Sequence, residues 1–149
     1  MLKLPTATVQ EPYAWVWKAD DAIDKERDDW ESEFDAALES NDMSRLPLKP
    51  DSKPTVFILR HTTPKMKRYF QGFHGRDDGW PLAMRQIVAL SLVRIDNAVG
   101  LDRLKFDGID ATGRPCVPDE TMDAIDKVDH GVLLNDICHH IVGVLNRPS

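Results

Sequence analysis

The stretch PLAMRQIVALSLVRIDNA, residues 81–98, decides the fold of this chain. Pro81 suits the first position of a helix, and Gly100 suits its end. On a helix this stretch presents almost no polar face, and Arg85 and Arg94 point to opposite sides. A helix that is apolar nearly all round is a buried helix. Residues 81–98 therefore predict a central helix around which the core is built.

The segment before this helix carries the clearest strand signal. Residues 55–61 (TVFILRH) are rich in β-prone side chains and follow directly after Pro54. Thr63 then predicts a helix N-cap, with Pro64 at the first helical position. A basic helix with an apolar side is expected to follow.

The C-terminal part predicts two more helices. Residues 119–126 (DETMDAID) place acids in a first turn, where the helix dipole favours them. Residues 131–146 are amphipathic, with an expected buried face of Leu133, Leu134, Ile137, Cys138, Ile141, Val144 and Leu145. The LKF segment, 104–106, predicts a short strand pairing with 55–60. Residues 55–149 are thus expected to form a helical core domain.

Charge is sorted along the N-terminal half. Residues 19–42 contain eleven acids against Lys25 and Arg27, a net charge of −9. Residues 45–76 contain eight basic residues against Asp51 alone, a net charge of +7. Opposed blocks of this kind are typical of docking on each other, on a second copy or on a partner.

Residues 1–18 predict an extended aromatic arm. Two prolines interrupt it, and Tyr13, Trp15 and Trp17 lie too close together for so short a segment to bury them alone. Two alternatives remain open from the sequence. The three aromatic side chains pack either on the core of this chain or in a groove of a partner.

Residues 19–42 predict an acidic amphipathic helix, placed at about 20–40. Its apolar stripe is narrow and runs through Ile23, Trp30 and Phe34. Residues 43–54 contain three prolines and predict a linker. The helix is expected to pack on its own basic block or on a neighbour, and the sequence leaves both open.

Composition limits the class of protein. A chain of 149 residues with 42% hydrophobic residues can form one domain with an arm. We expect a protein without a membrane span, because no uncharged apolar run approaches the required length of about 18 residues. The start lacks the layout of a signal peptide, so the two cysteines are expected to be free thiols in a reducing cytoplasm.

Sequence signals for chemistry are weak. There is no GxSxG, GxGxxG or P-loop pattern, and neither catalytic residues nor a cofactor is predicted. Adjacent helical residues diverge by 100°, so Cys138, His139 and His140 cannot converge on one metal ion. Asp136 and His140 could share a face, and a small metal-binding domain is the third-ranked hypothesis.

The basic segment around residues 65–68 has two interpretations. Charge with neighbouring aromatic rings suits nucleic acid. However, those rings have the helical spacing of core residues, and the chain is acidic overall, with a pI near 5.3. An acidic protein partner is therefore favoured over nucleic acid.

The predicted fold is α+β and mainly α. It consists of a small helical core with one short strand or hairpin, plus the extended arm and the acidic amphipathic helix. The predicted protein-interaction residues are aromatic, apolar or basic: Tyr13, Trp15, Trp17, Ile23, Trp30, Phe34, Arg60, Lys65, Lys67 and Arg68.

The order of elements resembles a class of small bacteriophage tail proteins. The matching pieces are KPTVFILRHTTPKMKRYF (53–70), IVALSLVRIDNAVGLDRLKF (87–106) and VLLNDICHHIVGVLNRPS (132–149). The resemblance covers about 100 residues. The acidic helix and the arm lie outside it.

The resemblance implies a tail assembly chaperone or a small tail or neck component. Assembly chaperones coat the tape-measure protein and recruit the tail-tube subunit. The implied function is non-enzymatic binding to other phage structural proteins or to copies of the same chain. The implied location is the host cytoplasm during assembly. The alternative is a connector, tail or capsid-associated subunit retained in the virion.

Overall fold

The computed structural model describes residues 11–61, 63, 66, 68, 80–100 and 104–145. Within these residues the fold is α+β, as predicted, with four α-helices and one three-stranded antiparallel sheet. The strands are β1 (Tyr13–Val16), β2 (Val56–Leu59) and β3 (Leu92–Asp96). The helices are α1 (Trp30–Glu39), α2 (Trp80–Ser91), α3 (Asp119–Asp126) and α4 (Val132–Leu145), with 3-10 turns at Met43–Arg45 and Val128–Gly131.

The predicted strand at 55–61 is the centre of the sheet. The described strands lie in the order β1-β2-β3. Phe57 of β2 lies opposite Trp15 of β1 on one side and opposite Ile95 of β3 on the other. The rings of Trp15 and Phe57 meet edge to face, with centroids 5.6 Å apart. This geometry is favourable for aromatic pairs, so the cross-strand contact stabilises the register.

The prediction of one helix over 81–98 is wrong in its second half. The helix α2 ends at Ser91, and the chain continues directly into β3. The backbone N–H of Arg60 donates to the Ser91 carbonyl at 2.7 Å, which joins the end of α2 to the end of β2. β-Branched residues and the open edge of β2 favour a strand here, and this tertiary pairing overrides the helical pattern.

The predicted helix over 20–40 is wrong in its first half, because α1 begins only at Trp30. The preceding residues form turns. Asp20 accepts a hydrogen bond from the backbone N–H of Ala22, and Asp24 accepts one from Glu26. Aspartate carboxylates that bond a backbone N–H two residues on compete with helix formation.

The predicted linker at 43–54 packs against this turn segment. The backbone N–H of Asp24 donates to the Pro47 carbonyl at 2.8 Å, and that of Lys49 donates to the Ala22 carbonyl at 2.9 Å. Ile23 and Leu48 form an isolated antiparallel bridge. Residues 43–54 are thus an extended segment with defined hydrogen bonds to residues 22–24.

Two apolar clusters form the interior. The larger one brings α2, α3 and α4 against the sheet; it contains Trp15, Phe57, Leu59, Ile87, Val88, Leu92, Met122, Ile125, Leu133, Ile137 and Ile141. The smaller one contains Val16, Ile23, Phe34, Ala37 and Leu46. The neighbours Trp15 and Val16 belong to different clusters, because successive strand residues point to opposite faces.

The C-terminal helices agree with the sequence. The helix α3 has the predicted bounds, and α4 lies within the predicted range. The N-cap prediction is also confirmed, since the backbone N–H of Met66 donates to Thr63 Oγ1 at 3.1 Å. The predicted strand at 104–106 is wrong, because β2 pairs with β1 and β3 and residues 104–106 are irregular.

Candidate interaction surface

The aromatic side chains of the predicted arm pack on the core of their own chain. Trp15 is buried, with 7% of its surface exposed, while Tyr13 and Trp17 are half-buried. Nε1 of Trp17 donates to Oδ2 of Asp136 at 2.7 Å. The hydroxyl of Tyr13 and Nε2 of His140 lie 3.2 Å apart. Of the two sequence alternatives, the structure therefore supports packing on the chain itself.

Histidine rings complete this contact between β1 and α4. The Tyr13 ring centroid is 4.8 Å from that of His61 and 5.7 Å from that of His140. The spacing of Asp136 and His140 had indicated a shared helix face, and the structure places both against β1. Tyr13 and Trp17 were predicted as interaction residues, but not as the partners of Asp136 and His140. The i, i+4 spacing of Tyr13 and Trp17 in an extended segment was the available signal, because side chains two and four positions apart on extended backbone share one face.

The apolar stripe of the acidic segment is also internal. Ile23 and Phe34 are buried, and Trp30 is half-buried against the same cluster. The prediction that these side chains contact a partner is corrected for Ile23, Phe34 and Trp15, because burial within the chain leaves them almost no accessible surface. The amphipathic pattern correctly indicated that these side chains are buried, but it did not indicate which surface they pack against.

The exposed face of residues 20–42 is what we call the acidic surface. It comprises the exposed carboxylates of Asp21, Glu26, Asp28, Asp29, Glu31, Asp35, Glu39 and Asp42. Lys18 contacts Glu31 at 3.9 Å and Asp35 at 3.5 Å, and Arg27 contacts Glu33 at 3.0 Å. These cations come from the segment itself or from its immediate border. Most of the acidic surface therefore has no counter-charge within the described residues.

The described part of the basic block neutralises little of this surface, and Arg45 makes only a weak charge interaction with Asp42. Arg45, Lys49, Lys53 and Arg68 are exposed, and Arg60 is half-buried. Lys65 and Lys67 lie outside the described residues. Among the residues that are described, no ion pair joins the two blocks. Separation of the two blocks does not explain this lack of ion pairs. Lys49 lies beside the acidic segment, where its backbone N–H donates to the Ala22 carbonyl.

Neither thiol is activated for nucleophilic chemistry. Burial raises the pKa of the Cys138 thiol to about 11. Burial, with Asp110 and Asp119 nearby, also raises the pKa of Cys116. A raised pKa lowers the thiolate fraction at neutral pH, and the thiolate is the reactive form. Cys138 is a core thiol, as its place in the apolar stripe predicted.

The described residues contain neither a metal-binding cluster nor a membrane-spanning helix. They contain no group of three or more histidine, cysteine, aspartate or glutamate side chains placed to hold a metal ion. None of their helices is both long and apolar enough to cross a membrane.

No protein family, curated protein or solved structure matches this chain. The contacts and charges of the molecule itself are therefore the evidence for its function. The feature that these contacts leave unexplained is the acidic surface.

Proposed function

We propose that this protein is a non-enzymatic assembly protein that binds a basic protein surface through its acidic surface. The observation that carries the proposal is the absence of described ion pairs between the −9 and +7 blocks, although residues 22–24 and 47–49 pack side by side. A fold that used its own basic block for neutralisation would place the two sets of side chains in contact. Unpaired surface charge instead favours encounter with a partner of opposite sign.

The resemblance to small bacteriophage tail proteins supports the proposal that this binding takes place during phage assembly. Within it, the first proposal is a role in morphogenesis like that of a tail assembly chaperone. The partner is another phage structural protein or a second copy of the chain. The second proposal is a structural subunit that remains in the virion, and the order of elements fits both.

Self-association is the simplest form of the proposal to test. Sedimentation velocity of the full chain should show a larger species at about 50 mM salt that dissociates near 500 mM, because exposed charge contacts are screened at high ionic strength. The test variant replaces Asp21, Glu26, Asp28 and Asp29 by their amides. These four carboxylates make no ion pair in the described chain, so the fold should be preserved.

A matched control variant carries the same change in net charge elsewhere. It replaces Asp107, Glu120, Asp126 and Asp129, all exposed, by their amides. The test variant should remain monomeric at low salt, whereas the control should associate like the natural chain. Equal behaviour of the two variants would show that net charge, and not the acidic surface, drives association.

The protein composition of purified particles distinguishes the chaperone role from the structural role. Mass spectrometry of purified particles should not detect a chaperone that leaves after assembly, whereas a structural subunit should be present at a fixed copy number. A protein that does not self-associate, is absent from particles and binds no tail component in assembly extracts would contradict both roles.

A further inference from the structure

A second candidate site lies away from the acidic surface, between the end of β2 and the turn before α3. It is a cavity of about 220 Å³ lined by Arg60, Thr63, Met66, Leu90, Arg114 and Pro115. Two guanidinium groups and one hydroxyl thus border the same small space, and the other lining residues that the structure describes are apolar. This combination points to a ligand that has an anionic end and an apolar body.

Arg60 is the residue that makes the cavity unusual. Its Nη1 donates to the carbonyls of Leu90 at 3.3 Å and Leu92 at 3.1 Å. These bonds hold the side chain at the junction of α2 and β3. They leave Nε and Nη2 without a protein hydrogen-bond partner in the described part of the chain. No described carboxylate lies within ion-pair distance of Arg60.

A half-buried cation without a counter-ion is unfavourable. Desolvation lowers the pKa of Arg60, although an arginine stays charged at any physiological pH. Removing a charge from water costs free energy unless another charge or strong hydrogen bonds compensate. An anion bound in the cavity would supply that compensation to the free donors of Arg60.

The second guanidinium belongs to a turn that is itself well anchored. Oδ1 of Asp110 accepts hydrogen bonds from the backbone N–H groups of Thr112, at 2.9 Å, and Arg114, at 3.0 Å. The backbone N–H of Asp110 donates in return to the Arg114 carbonyl at 2.9 Å. These bonds fix the backbone of Arg114, so its side chain starts from a defined position beside the cavity.

We propose that this cavity binds a carboxylate carried on a short apolar stem, with Arg60 as its main ligand. Forked guanidinium groups match the two oxygens of a carboxylate. Met66, Leu90 and Pro115 provide apolar contacts for the stem. Thr63 Oγ1 accepts the N-cap hydrogen bond and keeps its own proton available to donate. The cavity is smaller than the roughly 300–1,000 Å³ of typical ligand pockets, which selects a short ligand.

Two sources can supply this chemistry: a free short-chain carboxylate, or the last residue of a peptide with an apolar side chain. Titration of the full chain with hexanoate tests the first, and a tetrapeptide ending in leucine tests the second, both followed by NMR chemical shifts. The same peptide with an amidated C-terminus is the matched control. We expect the free carboxylate to bind at least about tenfold more tightly, because it adds charge-assisted hydrogen bonds.

The residues whose chemical shifts change identify the binding site even if a variant fails to fold. On the natural chain, shifts should concentrate at the side chains of Arg60, Met66 and Leu90. In the folded Arg60→Met variant, affinity should fall at least about tenfold. Arg94→Met, which removes an exposed arginine paired with Asp96, should leave affinity unchanged. The proposal would be overturned if the free acid and the amide bound equally tightly. It would also be overturned if the chemical-shift changes mapped elsewhere, or if inorganic phosphate alone bound.

Discussion

Trp17, the residue directly after β1, is joined to Asp136 of α4, because Nε1 of Trp17 donates to Oδ2 of Asp136 at 2.7 Å. The two residues are 119 positions apart, so the bond closes the described chain almost end to end. A hydrogen bond to a charged group contributes roughly 1.5–3 kcal/mol, and partial exposure places this one at the lower end. The bond makes β1 part of the core instead of a loose arm.

Removing the donor should therefore destabilise the protein. We expect Trp17→Phe, which keeps an aromatic ring, to lower the free energy of unfolding by about 1–2 kcal/mol in urea titrations followed by circular dichroism. The double variant with Asp136→Ala should cost less than the sum of the single variants. The exposed Glu26→Ala variant serves as a control and should have almost no effect. Additive single effects would show that the bond contributes nothing.

Two buried hydroxyl groups provide a paired test of hydrogen-bond satisfaction. Thr121 Oγ1 donates to the Lys105 carbonyl, whereas Ser91 Oγ is buried without a hydrogen-bond partner among the described residues. A buried polar group without a partner is unfavourable, so Ser91→Ala should leave stability unchanged or raise it by up to about 1 kcal/mol. Thr121→Val should lower stability by about 1–2 kcal/mol, because the backbone carbonyl of Lys105 loses its hydrogen-bond donor.

Thermal and urea unfolding of the two variants check this contrast. Loss of stability in Ser91→Ala comparable to that in Thr121→Val would indicate that the Ser91 hydroxyl is satisfied after all. This serine stands where α2 becomes β3, so the result also reports on that junction.

Two glycines provide a second paired test. A Cβ on Gly108 would lie 2.5 Å from the Cys116 carbonyl oxygen, so Gly108→Ala must move the backbone of that loop. A Cβ on Gly143, in α4, would meet nothing within 4 Å. We expect Gly143→Ala to stabilise by about 0.5–1 kcal/mol through helix propensity. Gly108→Ala should destabilise by about 1–3 kcal/mol, as overpacking does.

The melting temperatures of the two variants should therefore shift in opposite directions. A stabilised Gly108→Ala variant would contradict the close contact with Cys116. An unchanged Gly143→Ala variant would indicate that the last turn of α4 contributes little to global stability.

The sequence predicted elements whose signal is local. The strand 55–61, the N-cap at Thr63 and the helix 119–126 each carry their own turn, cap or β-branched signal, and each appears in the structure. The prediction of a helix over 81–98 failed in its second half, because contacts with distant parts of the chain determine the structure there. Nothing local to residues 92–96 reveals that β2 needs a second neighbour, and an apolar run alone does not distinguish a buried strand from a buried helix.

The candidate surface was predictable in composition but not in geometry. The −9 block marked the acidic surface correctly, since charge density depends little on fold. The same pattern could not show that Asp20 and Asp24 hold turns by bonding backbone N–H groups. It also could not reveal the cavity at Arg60, because its described lining residues come from three separate parts of the chain.

The buried thiol of Cys138 should make stability depend on alkaline pH. Its pKa is raised to about 11 from the ordinary value of 9.0 because burial disfavours the thiolate. Between pH 9 and pH 11 the unfolded chain releases this proton while the folded chain retains it. Stability from this group is therefore fully present below pH 9 and decreases as the pH rises toward 11.

Urea unfolding at pH 8, 9, 10 and 11 tests this dependence. The Cys138→Ala variant should be less stable at every pH because it leaves a cavity, but its stability should fall less steeply above pH 9. Cys116→Ala is the matched control. It removes a half-buried thiol and should change the slope less. Parallel curves for the natural chain and Cys138→Ala would mean that the thiol ionises as readily in the core as in water, and would contradict its complete burial in the larger apolar cluster.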